Sequence, residues 1–132
     1  LPTKKQKLKI KTRYFNYFVF EHKNVFLYQK RINKDIWQNL FEFYLVEEKN
    51  SKKALQLINN KFQKKLPNPE KTNVVTQLSH QKINVAFYNF NIDKKEDLNT
   101  IKEALNLKIL KKPNIKKFGF PKVVDNYLNS HS

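Results

Sequence analysis

The stretch from Arg13 to Arg31, RYFNYFVFEHKNVFLYQKR, limits what this chain can fold into more than any other. It is dense in aromatic and β-branched residues. Only the polar break EHKN interrupts it, so it reads as two strands joined as a hairpin. From Tyr14 onward the aromatics fall at odd and even positions alike. A strand with one wet face alternates, whereas a strand that is apolar on both faces is covered on both. The run therefore predicts a sheet with material packed on each side.

The other elements are mixed in type. Asn50 or Ser51 can cap a helix through residues 50–65, in which Ala54, Leu55, Ile58 and Phe62 share a face. LPNP at 66–69 breaks the chain. Residues 73–92 read as two strands about the polar turn SHQK, with Val74, Thr76 and Leu78 alternating in the first and Ile83, Val85 and Phe87 in the second. A second helix is predicted over 93–107, with Asp93 and Glu96 spaced as a capping box and Leu98, Ile101, Ala104 and Leu105 as its apolar stripe. Pro121 suits the first turn of a last helix over 120–130, where Val123, Val124, Tyr127 and Leu128 share a face. Strands and helices that mix without strict alternation indicate an α+β fold with a mixed or antiparallel sheet. Residues 1–11 are basic, open with Leu-Pro and read as the end of a linker. Residues 12–132 then form one domain. The chain opens on Leu1 rather than Met and is read as a piece of a longer protein.

Charge narrows the partners. The 132 residues hold 27 Lys and Arg against 11 Asp and Glu, a net charge of +16. That balance fits a polyanion such as nucleic acid, because each cation that meets a phosphate releases counterions. An AT-rich genome inflates Lys, Asn, Ile and Phe in every protein, and about half of the excess is assigned to that source. Basic and aromatic residues interleave along 9–31 and 111–120; most of these aromatics are read as core, and a subset of the lysines as phosphate contacts. No apolar run is long enough to cross a bilayer, and a cytoplasmic, nucleoid-associated monomer is expected. Without cysteine the chain has no disulfide, Cys-ligated zinc or iron–sulfur cluster of its own. Its one glycine, Gly119, excludes a glycine-rich phosphate loop.

Few residues specify chemistry. His22, His80 and His131 are far apart in sequence. Ser79 precedes His80, but adjacency is not the convergent geometry of a triad. Glu47 and Glu48 are strand neighbours that point apart, so they read as solvated charge. No catalytic residue and no metal site is assigned.

The segment from Gln29 to Glu47 resembles the Gln-Arg … Gly-Leu-Trp-x-Gly-Leu-Trp-Glu-Phe-Pro segment of the C-terminal domain in the MutY A/G-specific adenine DNA glycosylase family. Gln29 and Arg31 fall near its Gln-Arg pair, and Ile36, Trp37, Leu40, Phe41, Glu42 and Phe43 match its core. LSHQKINVAFY is similar to that family's Phe-Ser-His loop and following strand, and FGFPKVVDNYL to its closing segment and last helix. The resemblance implies a Nudix-like fold, a mixed β-sheet packed between helices. It implies a domain that recognises 8-oxoguanine opposite a mispaired adenine in double-stranded DNA during base-excision repair. The excision itself, by base flipping and hydrolysis of the glycosidic bond, would belong to an N-terminal catalytic domain that carries the iron–sulfur cluster. The chain described here would then be no enzyme and hold no cofactor. Ser79 would hydrogen-bond the oxidised base. Leu78 and His80 would shape the loop, and Lys82 would meet a phosphate. Trp37, Leu40, Phe41, Glu42 and Phe43 would be structural.

This sequence departs from the family pattern in several places. Lys34 or Asp35, and Asn39, stand where the family has glycines, and Asp and Asn tolerate a positive φ. Phe41 replaces its second Trp, Tyr44 its Pro, and Leu78 the Phe of its loop. Two readings stay beside the first: a basic DNA-binding domain without lesion preference, and a Nudix-like protein-interaction domain. A Nudix hydrolase binds magnesium through an Arg-Glu-x-x-Glu-Glu helix. The corresponding helix, SKKALQLINNKFQKK, has no acidic residue, so metal-dependent hydrolysis is not expected.

Overall fold

The structure, a computed structural model, describes residues 9–62 and 65–130. Most of the expected linker, and His131, lie outside them; the first strand already begins at Lys11.

The aromatic run forms β1 (Lys11–His22) and β2 (Val25–Lys30), joined through Lys23, whose φ is 50°. Two short strands follow, β3 (Phe41–Glu42) and β4 (Tyr44–Glu47), then helix α1 (Ser51–Asn59). The hairpin β5 (Glu70–Gln77) and β6 (Gln81–Asn91) leads to α2 (Lys95–Ala104). Strand β7 (Lys108–Lys111), a 3-10 helix (Lys112–Lys117) and α3 (Lys122–Ser130) close the chain.

The seven strands among the described residues join one mixed sheet. β1 is its axis. It runs parallel to β6 from Lys11↔Gln81 to Glu21↔Asn91. On its other edge it pairs antiparallel with β4 at one end (Phe15↔Glu47) and with β2 at the other (Glu21↔Phe26). β5 lies outside β6, while β3 and β7 both pair antiparallel with β2.

The two faces of β1 enter two separate cores, as expected for a run that is apolar at every position. Phe15, Tyr17 and Val19 pack with Ile83, Val85 and Phe87 under α3, through Val123, Val124, Tyr127 and Leu128. Phe18 and Phe20 pack with Tyr88 and Phe90 under α1 and α2, through Ala54, Ile58, Leu98 and Ile101. The fold is thus α+β, a mixed sheet between helical layers.

Three boundaries differ from the sequence expectation. Helix α2 starts at Lys95, and its cap position is Lys94 with no side-chain bond, so Asp93 and Glu96 make no capping box. Ile92 is buried, and its N–H donates to Glu21 O (2.7 Å), which keeps the chain extended until the sheet ends. Glu96 and Asp97 still place negative charge at the helix start, where the dipole favours it. Helix α1 stops at Asn59 rather than running to residue 65, and Gln63 and Lys64 lie outside the described residues. Phe62 packs against the α1–α2 core from the turn beyond the helix. Strand β7 was not expected. Asn106, at φ 55°, ends the preceding helical segment and turns the chain back along β2.

Phe43 shows what this packing is worth. It is fully buried and touches the rings of Tyr17, Phe26, Phe87, Phe120 and Tyr127. Phe43→Ala should cost about 3–5 kcal/mol of stability, whereas Leu57→Ala on the exposed side of α1 should change it by under about 0.5 kcal/mol. Urea unfolding followed by tryptophan fluorescence would measure both.

Candidate functional site

The β5–β6 hairpin ends in a two-residue tip. Leu78 N–H donates to Gln81 O (2.7 Å), and Gln81 N–H returns a longer bond to Leu78 O (3.4 Å). Ser79 and His80 are exposed at the end, while Leu78 is half-buried against the α3-side core. The tip is tied at three points. Gln77 Nε2 donates to Leu78 O and Gln81 O (3.0 and 3.2 Å), Lys11 N–H donates to His80 O (3.1 Å), and Arg13 Nη1 donates to Gln81 Oε1 (3.1 Å). Lys82 is the second residue of β6, exposed and opposite Thr12 and Gln77. Ser79, His80 and Lys82 are therefore brought together at one end of the sheet, with Leu78 as the anchor of the turn.

Arg13 carries the tip because its guanidinium is fully used. Nε and Nη2 donate to Glu47 (2.8 and 2.7 Å), Nη1 and Nη2 to Asp35 (2.9 and 2.8 Å), and Nη1 also to Gln81. Five bonds match its five N–H groups, which is how a guanidinium is buried without an unsatisfied donor. Arg31 repeats the theme. It donates to Asp35 (2.9 Å), to the buried Glu42 (3.2 Å) and to Ile36 O (3.0 Å). Glu42 also accepts from Tyr17 (3.1 Å) and Gln29 (2.9 Å). Both guanidinium carbons lie over the Phe15 ring, at 4.9 and 5.5 Å. Sequence reasoning missed this network. Glu47, read as solvated, is half of the Arg13 clamp although its outer side meets water. The one local clue was Asp35 four residues after Arg31, the spacing of their ion pair.

The network shapes the segment that holds the single Trp. Asn39 N–H donates to Arg31 O (2.7 Å), Arg31 N–H to Leu40 O (2.9 Å) and Leu40 N–H to Trp37 O (3.0 Å). This tight loop needs left-handed backbone at two places, Trp37 (φ 61°) and Asn39 (φ 70°). Asn39 does take the glycine-like conformation its position called for; Lys34 and Asp35 do not, and the first such residue is Trp37. That conformation is strained for an aromatic residue, and the surrounding bonds over-determine it. Trp37 sits edge-on to Phe15 (5.7 Å), and Phe41 contacts Tyr28, Phe118 and Phe120. Leu40 is half-buried, with its Cδ2 3.5 Å from where a Cβ on Gly119 would lie.

A family model for the NUDIX domain matches residues 16–130, most of the chain. The chain belongs to the NUDIX domain family. Comparison with curated proteins finds no match.

In this NUDIX domain α1 starts with Ser51, Lys52 and Lys53 and has no acidic residue in its first turn. Among the described residues no group of three or more His, Asp or Glu side chains converges as metal ligands would. His22 is hydrogen-bonded to Ile92 O (2.7 Å) and His80 is at the hairpin tip.

The carboxylates of the network titrate in opposite directions. Hydrogen bonds from Arg13 hold Asp35 down at about 2 and Glu47 below its ordinary value, while burial pushes Glu42 up. Asp35 thus contributes stability that is fully present above its ordinary 3.8 and lost as pH falls through about 2. That contribution is about 2 kcal/mol, and protonation of Glu42 offsets part of the loss. Asp35→Asn should be less stable at pH 7 and show a flatter decline between pH 4 and pH 2. Urea midpoints across that range would measure it.

Proposed function

We propose that this NUDIX domain is the lesion-recognition domain of an A/G-specific adenine DNA glycosylase, reading 8-oxoguanine opposite a mispaired adenine. The C-terminal domain of MutY belongs to the same family. The observation that carries the reading is the hairpin tip, which presents an exposed hydroxyl and an exposed imidazole beyond the sheet on a rigid base. Oxidation replaces the acceptor N7 of guanine with an N–H and adds a carbonyl at C8. A hydroxyl both donates and accepts, so Ser79 can answer either change. Leu78 packs inward and holds the turn rather than stacking on a base. Lys82 beside the tip supplies charge for the adjoining phosphate and no sequence information.

The chemistry of α1 argues against the other NUDIX activity. Metal-dependent hydrolysis of a nucleoside diphosphate needs clustered carboxylates on that helix, and lysines stand at its start instead. Excision of the adenine would fall to a catalytic domain of the same polypeptide, and this domain would supply the preference for the damaged partner.

Ser79→Ala tests the reading. The unaltered chain should bind a duplex with one 8-oxoguanine:adenine pair more tightly than the same duplex with guanine:adenine. The variant should lose about tenfold of that preference, the range of one base-edge contact, with little change on the guanine duplex. Fluorescence anisotropy at fixed salt measures both affinities. Equal binding of the two duplexes by the unaltered chain would contradict the reading and leave a DNA-binding domain without lesion preference.

A further inference from the structure

One face of the sheet is covered along only half its length. Helices α1 and α2 lie over Phe18, Phe20, Tyr88 and Phe90. The same face continues toward the hairpin tip through Tyr14 and Asn16 on β1, Asn84 and Lys82 on β6, and Asn73, Val75 and Gln77 on β5. No described helix packs on that end. It forms a shallow hollow of about 200 Å³, with Tyr14, Asn73, Asn84 and Val75 in its lining and Lys49, Lys71 and Ser51 beside them. Val75 is 58% exposed there.

The cations on this face are available. Lys49 Nζ lies 5.8 Å from the Tyr14 ring centroid, and Lys71 Nζ lies 5.4 Å from that of Tyr88 and 3.5 Å from Ser51 Oγ. Among the described residues, Lys49, Lys71 and Lys82 form no ion pair. Glu48 is the one acid in the lining, and it is engaged by Asn50 N–H (3.1 Å) and Lys53 (4.0 Å). From the Lys82 row to the Lys71 row is six residues of strand, about 20 Å. That is the span of several phosphates, which on one strand of B-form DNA succeed each other about every 3.4 Å of helix axis.

We propose that this open half-face is a DNA-backbone track, with Lys82, Lys71 and Lys49 as its phosphate contacts and Tyr14, Asn73 and Asn84 as its floor. The track starts at the hairpin tip, so one strand can pass from Ser79 onto it. The assignment deepens the reading of the tip and rests on it for the identity of the polyanion. The row of amides and an aromatic ring between the lysines matches nucleic acid, whose sugars and bases accompany the charge.

Salt dependence tests it on the full chain. Each phosphate contact adds about 0.9 to the slope of log affinity against log salt. The triple substitution Lys49→Gln, Lys71→Gln, Lys82→Gln should lower the slope by about 2 to 3 on an unmodified 20-base-pair duplex. Lys95→Gln, Lys108→Gln, Lys122→Gln, on other surfaces, should leave it unchanged. An unchanged slope in the first variant, or an equal fall in the second, would overturn the track. So would tighter binding of poly-glutamate than of the duplex, which would point to an acidic protein partner. Because the slope is read on undamaged DNA, failure of lesion reading alone would show as equal affinity for the two duplexes with the fall in slope intact.

Discussion

A guanidinium buried near the start of β1 organises this domain. Arg13 lies between Asp35, Glu47 and Gln81, which come from the Trp loop, the end of β4 and the start of β6. The Trp loop is irregular and β4 is short, and the shared guanidinium joins both to the start of the longer β6. Removing Arg13 would leave two partly exposed carboxylates facing each other near Phe15 and would take away the five hydrogen bonds that join these segments. Arg31 and Glu42 extend the lattice inward, where Tyr17 and Gln29 satisfy the remaining carboxylate oxygens. The strained backbone at Trp37 survives because the chain on both sides of it is pinned.

The same interaction links fold to site. The hairpin tip projects from the sheet with two exposed side chains, and such tips are ordinarily mobile. Here the Gln81 side chain ties the β6 side of the turn to Arg13, and the Lys11 amide holds the carbonyl of the adjacent His80. These ties reach through Arg13 to the core, and they give the tip the positional precision that the proposed base reading would need. The opposite face of the sheet end stays uncovered because α1 is only nine residues long and packs farther along β1 and β6.

The layered architecture was legible because it follows from composition along the strands. Aromatics on both faces of 13–31 required two covers, and the stripes of Ala54 and Ile58, Leu98 and Ile101, and Val123 to Leu128 supplied them. The mixed sheet was within the expectation, but its axis was not. The parallel pairing of β1 with β6 joins segments some seventy positions apart, and no local pattern specifies it. Strands β3, β4 and β7 are two to four residues long, too short for alternation to register. The tip residues could be named from a motif. The Arg13 network could not, since its members look like ordinary surface charge until the fold gathers them.

The lattice anchored on Arg13 supports a NUDIX domain, and the hairpin tip and the sheet face beside it are the working end that we propose for it. The most direct measurement is an amide-resolved NMR titration of the full chain with a short duplex that carries one 8-oxoguanine:adenine pair. Shifts concentrated at Leu78–Lys82 and spreading along β5 and β6, with the tip responding more to this duplex than to its guanine counterpart, are the predicted result. Shifts confined to the hollow that α2 forms with Phe62 and Leu66, or identical at the tip for both duplexes, would contradict it.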